Sequence, residues 1–246
     1  MALFTDGPVS TVDDLAEQDS SVLEVASTEG IDVSRKLALA QDEVEMELTA
    51  LLPRAGVAAG LDNIVVTTPL RLWHTFHSLA LVYRDAFHSQ LNDRYRGRWE
   101  EYGKLARWAA AKLVQAGMGM VSDPLPKAAQ PELAAVPGTL GETILFVSAA
   151  WVNGAGEEGC PSAPASSELT GGSTLRITPR WKPSKASAWN VYVGFSPDEM
   201  RRQNDTPIAP GASWTVGGSV RTDGEQPQNG QSPNYVRALA RVLDRG

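Results

Sequence analysis

His74, His77 and His88 are the only histidines in the chain, and all three fall within one helical stretch. At 100° per residue they lie within about 60° of one another, which is the layout of a metal-ligand face. The axial rise argues the other way. At ~1.5 Å per residue His77 and His88 are ~16 Å apart, so only His74 and His77 could share an ion, and two ligands leave a site incomplete. The expectation is histidines that flank an apolar stripe, with no metal and no cofactor. Cys160, the one cysteine, rules out an internal disulfide and a cysteine-rich zinc site. It sits in Gly159-Cys160-Pro161-Ser162 with no histidine close by, so an inert or half-exposed thiol is expected.

Other chemistry is equally thin. There is no Gly-rich phosphate loop, no GxSxG elbow and no HExxH pair, so no catalytic residues and no enzyme activity are expected. The cluster Arg94-Tyr95-Arg96-Gly97-Arg98-Trp99 mixes cations with aromatics, as a single-stranded nucleic-acid site does. Tyr95, Trp99 and Tyr102 nevertheless recur at helical spacing, which predicts core or subunit interface, with the arginines on the other face. The acids Asp42, Glu43, Glu45 and Glu47 read as a solvated helix face that in a ring would meet a neighbour's arginines.

A formal charge of -7, with 42% hydrophobic and 21% charged residues, suits a globular protein. It argues against gripping nucleic acid over the whole surface, but allows an acidic channel through which DNA slides. No apolar run approaches the ~20 residues of a membrane span, so no membrane partner is expected. The first eight residues lack the basic start and apolar middle of a secretory signal, so a protein made and assembled inside a cell is expected.

The elements that must position these residues change period halfway along. Ser10 and Thr11 with Asp13 and Asp14 suit a helix start, predicting a short helix within 11–27 that Gly30 ends. Val33, Leu37, Ala40, Val44, Leu48 and Leu51 step by 3 or 4 after an Asp32 cap. Thr68-Pro69 starts another helix, with Trp73, Phe76, Ala80, Tyr83, Phe87 and Leu91 on one stripe. After a break at Asn92-Asp93, the stripe Tyr95, Trp99, Tyr102, Ala106, Ala109 and Leu113 runs towards Gly117. In the second half Leu145 to Trp151, Leu175 to Ile177 and Trp189 to Val193 alternate with period 2, and Ser213–Val216 adds a short strand.

These patterns predict an α+β two-domain chain: an N-terminal α-helical bundle followed by an antiparallel β-sandwich. The bounds are 1–121 for the helices, 122–140 for a linker with four prolines, 141–222 for the sandwich and 223–246 for a C-terminal arm with a short helix. Trp151, Trp189, Val191 and Trp214 are the expected sandwich core. In the arm, Tyr235, Val236, Leu239, Val242 and Leu243 form the expected docking face.

Several motifs in the helical half resemble those of tailed-phage neck adaptors. They are Leu3-Phe4-Thr5-Asp6-Gly7, Glu29-Gly30-Ile31-Asp32, Tyr83-Arg84-Asp85-Ala86-Phe87 and Asp93-Arg94-Tyr95-x-x-x-Trp99-x-x-Tyr102. In the other half, Trp151-Val152-Asn153-x-x-Gly156-x-Glu158-Gly159-x-Pro161-Ser162 resembles the end of a fibronectin type III domain. Trp189-Asn190-Val191-Tyr192-Val193-Gly194 resembles that fold's central strand C, and the series from Gln203-Asn204 through Pro207-Ile208 to Trp214-Thr215 accompanies it in phage structural proteins. In a fibronectin domain the Val-Asn-x-x-Gly motif follows the central strand; here it precedes it, so either the order is permuted or the first strand is shifted in register.

The resemblance implies a virion protein that builds a homo-oligomeric ring, typically of twelve, between the portal and a tail-side head-completion or stopper protein, with DNA passing through without sequence-specific contacts. In such a ring Trp73, Tyr83, Arg84, Asp85, Tyr95, Trp99 and Tyr102 are the expected interface or core, and the arm, a Pro/Gln/Asn tether followed by a short amphipathic segment, is the expected portal-docking segment. The alternatives are an accessory or adhesive module carried by the fibronectin-like domain, and a non-catalytic part of a glycan-active protein.

Overall fold

The computed structural model describes residues 1–56, 59–90 and 93–238. The chain divides into two compact units, one of Met1–Asp6 with Val121–Ser232, the other running over Gly7–Met120 and resuming at Pro233. It therefore passes between the units three times, at 6–7, 120–121 and 232–233. A helical region followed by an antiparallel β region gives the α+β class expected.

In the helical unit, the stretch expected to hold one short helix holds two: α1 (Val12–Gln18) and α2 (Val22–Glu29). Thr11 and Asp14 cap α1 reciprocally, and Asp19 breaks the run by accepting from the Ser21 backbone N–H. Gly30, at φ 66, ends α2 in the left-handed conformation that glycine adopts without a Cβ clash. Next comes α3 (Val33–Leu51), capped by Asp32, whose apolar stripe buries Leu37, Ala40, Val44 and Leu48. The long helices α4 (Thr68–Gln90) and α5 (Arg96–Ala116) follow, α5 burying Ala106, Ala109 and Leu113. α4 is the central element: α1, α2, α3 and α5 all pack on it.

Strand β1 (Met118–Met120) follows α5 and pairs antiparallel with β9 (Asn234–Val236), Met118 opposite Val236. The start of the expected arm helix is thus a strand. The unpaired backbone edge of β1 supplies hydrogen-bond partners that a three-residue helical turn after Pro233 would lack. Leu239, Val242 and Leu243 lie outside the described residues.

The β unit contains two antiparallel sheets. One has the order β2-β5-β8, from β2 (Glu132–Leu140), β5 (Ser173–Thr178) and β8 (Trp214–Thr215). The other has the order β4-β3-β6-β7, from β3 (Thr143–Asn153), β4 (Ala165–Leu169), β6 (Ala186–Gly194) and β7 (Arg201–Arg202). They enclose one core, in which Leu145, Val147, Ala149 and Trp151 of β3 meet Leu175 and Ile177 of β5 and Trp189, Val191 and Val193 of β6. This is a sandwich whose sheets do not join into a barrel. Trp214 packs against the core while remaining partly exposed.

The stretch expected to be a linker is folded into this unit. Leu125 and Ala128 are buried in the sandwich core, and residues 132–140 form β2. Pro137 is tolerated because β2 is an edge strand whose register breaks between Pro137 and Leu140. The two tryptophan motifs meet in one sheet, Trp151 of β3 standing opposite Trp189 of β6 on adjacent central strands.

Candidate functional site

The helical unit is fastened by a buried carboxylate that the sequence patterns did not single out. Asp19, between α1 and α2, accepts hydrogen bonds from the hydroxyls of Tyr83 at 2.6 Å, Tyr102 at 3.0 Å and Ser21 at 2.8 Å. The Arg98 guanidinium donates to both of its oxygens, at 3.0 and 2.8 Å. Burial acts to raise the Asp19 pKa, but the bonds from Tyr83, Ser21 and Tyr102 outweigh it and hold the group below the ordinary aspartate range. The same contacts raise the Tyr83 and Tyr102 hydroxyls, first through burial and then through the Asp19 charge they donate to. Around this centre Tyr83 and Tyr102 stack at 5.6 Å, Tyr95 lies 6.2 Å from Tyr83, and Phe76 lies 6.4 Å from Tyr102. The Tyr95 hydroxyl donates to Glu29 at 3.0 Å.

The residues expected to mark core or ring interface therefore separate into two groups. Tyr83, Tyr95 and Tyr102 bind α2, α4 and α5 together, and Asp85 pairs with Lys36 of α3. Trp73, Arg84 and Trp99 instead line a groove of about 720 Å³ between α3, α4 and α5. Its floor includes Val44, Trp73, Ala80, Leu81 and Ala106, and one rim carries Glu43 and Glu47. Arg84 and Arg107 also border it. Met46, 65% exposed, and Val114 leave apolar surface open along its walls. The groove is mostly apolar with charge at the edge, the composition of a docking face more than of a reaction centre.

The histidines have three separate environments. His74 is fully buried; its Nε2 lies 3.1 Å from the Leu37 carbonyl, which can only accept, so Nε2–H donates and Nδ1 accepts from the Ser10 hydroxyl at 2.5 Å. Burial lowers its pKa to about 4, so the ring is neutral near pH 7. His77 meets Glu43 at 2.5 Å, and His88 lies against Trp99 at 5.6 Å between ring centres. Among the described residues no group of three or more His, Cys, Asp or Glu is placed to hold a metal ion. Burial pushes the Cys160 thiol up, the charge of Asp6 adds to it, and together they outweigh the opposing pull of Lys127 and the N-terminal ammonium.

In the β unit the motif residues hold the fold. The Asn153 side-chain oxygen accepts from the Ala155 and Glu157 amides, closing the turn of the Val-Asn-x-x-Gly motif, with Gly156 at φ 83. Gln203 and Asn204 are buried and substitute for ladder partners beyond the two-residue β7. Asn204 accepts from the Val191 N–H at 2.9 Å, while Gln203 donates to the Val193 carbonyl and accepts from the Arg221 N–H at 2.8 Å. Glu158 receives the Tyr192 hydroxyl and the Asn190 amide. One residue stands apart. Trp181 is 72% exposed and sits at φ 51, a left-handed conformation that a bulky side chain adopts only under strain.

No helix among the described residues is long and apolar enough to cross a membrane. Comparison with protein-family models, with curated proteins and with solved structures finds no match.

Proposed function

We infer that the chain is a structural subunit of a tailed-phage neck, a head-to-tail connector that assembles into a ring beneath the portal and lines part of the DNA channel. The observation that carries this reading is the apolar groove between α3, α4 and α5, open to solvent and lined mostly by apolar side chains. Such a face gains free energy by covering itself with protein. The adaptor-like motifs support the same reading. Several of their residues, dispersed from Glu29 to Tyr102 in sequence, meet on the packed faces of α2, α4 and α5. The partners are other copies of the chain, a portal above and a tail-side stopper below, and the DNA passes without base readout. The segment beyond Val236 is the portal-docking arm, and deleting residues 239–246, which spares β9, weakens portal attachment.

The exposed Trp181, beside Arg180 and Lys182, favours one second reading: the β unit as an adhesive or accessory binding module, or as a non-catalytic part of a glycan-active protein. Mass photometry of the purified chain, alone and with portal, separates the two. The connector reading expects particles that grow on the portal; a persistent monomer that ignores portal and binds glycans would favour the module.

A further inference from the structure

Strand β9 delivers the chain to one end of the α3–α4–α5 groove. It runs antiparallel to β1 with Val236 opposite Met118, so the residues after it pass the C-terminal end of α5. A side chain added at Gly117 would stand 3.2 Å from the Val236 carbonyl oxygen and 3.4 Å from Cγ of Arg237. Val114, one turn earlier on α5, already belongs to the groove wall, as does Leu51 at the C-terminal end of α3. From Val236 to Leu239 an extended chain spans about 10 Å, and Val114 lies only about 4.5 Å along the helix axis from Gly117. Leu239 can therefore reach the groove. We propose that residues 239–246, which lie outside the described residues, turn back onto α5 of their own copy and seat Leu239, Val242 and Leu243 in the groove.

The pattern of the segment fits the surface. Leu239, Val242 and Leu243 stand at i, i+3 and i+4, the spacing of one helical face, with Arg241, Asp244 and Arg245 off it. The groove offers an apolar floor between walls where Met46 is 65% and Val114 38% exposed. Charge does not choose the occupant, since Glu43 and Glu47 share the lining with Arg84 and Arg107. Position does. Groove and segment belong to the same compact unit, and a short tether at the groove's end sets an effective concentration on the order of millimolar, which a second copy in dilute solution does not match. The contact deepens the ring-subunit reading, and its consequence rests on that reading. A groove filled by its own chain keeps free copies apart, and a copy whose segment is drawn to the portal bares its groove to a neighbour.

A disulfide test in the full chain reads the seat directly. With Cys160→Ser as background, Met46→Cys and Leu243→Cys pair the groove wall with the segment. In the control, Lys112→Cys replaces Met46→Cys: Lys112 is exposed near the end of α5 and is not part of the groove lining. Circular dichroism should match the wild type for both. Under mild oxidation the groove pair is expected to close within one copy, at a rate independent of dilution and at least tenfold faster than the control. Adding Val114→Glu should slow it towards the control. Equal rates in the two pairs, a disulfide that joins two copies, or a rate that Val114→Glu leaves unchanged would overturn the seat. Native mass spectrometry of a chain lacking residues 239–246 tests the consequence: without portal it should self-assemble at a concentration at least tenfold lower than the wild type. A groove pair that closes within one copy, in a chain whose truncated form stays monomeric and ignores portal, would uphold the seat and overturn the ring reading.

Discussion

Asp19 concentrates more of the helical unit's polar bonding than any feature of the hydrophobic pattern would suggest. Its carboxylate has to stay ionised in a mostly dry setting, and three hydroxyls and a guanidinium keep it so. Asp19→Asn keeps the shape but removes the charge, leaving Arg98 and two tyrosines with a weaker acceptor. Because Arg98 is about half exposed, the ion pair is screened, and the expected loss is about 2 kcal/mol by urea denaturation. A loss near zero would show that the cluster is incidental. His74 adds a pH dependence at higher pH. Its folded pKa of about 4 lies below the ordinary 6.5, so the unfolded chain binds the proton first. Stability is therefore complete above pH 6.5 and falls as pH drops from 6.5 towards 4, by roughly 3 kcal/mol at most. Asp19, lowered from 3.8, adds its own loss only below that value. Denaturation midpoints between pH 7 and 4.5 should fall in the wild type and flatten in His74→Gln.

Among the elements, strain is concentrated in the loop between β5 and β6. Trp181 at φ 51 pays a conformational penalty that glycine does not, so Trp181→Gly should stabilise the β unit by about 1 kcal/mol, read as a raised melting temperature. The same variant should lose any glycan binding if the module reading holds. The elements also show which signals sequence carries. α3, α4 and α5 follow from apolar residues at steps of 3 and 4, and β3 and β6 from alternation, because the side chains that enter a core recur at those periods. β2 was hidden, since Pro137 and Gly138 read as linker unless the strand is known to be an edge. The break between α1 and α2 was marked only by Asp19-Ser20-Ser21, a turn signal inside a helical pattern. The Asp19 cluster itself was out of reach, because its partners Tyr83, Arg98 and Tyr102 lie 64 to 83 residues away. The groove was half legible: Trp73 and Trp99 marked it, while Met46 and Val114 read as ordinary helix surface.

At the scale of the whole molecule, the chain's ends are exchanged between the units. Leu3 and Phe4 are buried in the β unit, the N-terminal ammonium donates to the Gln231 carbonyl at 3.1 Å, and Asp6 accepts from the Lys127 amide at 2.6 Å. In return β9 completes the sheet with β1 in the helical unit. No alternating or helical pattern could announce this, because each pairing joins residues more than a hundred positions apart. It has a direct consequence. Removing residues 1–6 should lower the melting temperature of the β unit with little effect on the helices, followed by differential scanning calorimetry. A protease cut within 122–131 should leave two fragments that co-elute, since β9 stays paired with β1 across the cut.

The claim that the molecule builds a ring on the portal is tested most directly by electron cryomicroscopy of the full chain mixed with purified portal. The account predicts a closed ring of helical units stacked on the portal, with neighbouring copies in contact through the α3–α4–α5 groove. Portal particles that carry no added density at saturating concentrations of the chain would contradict it.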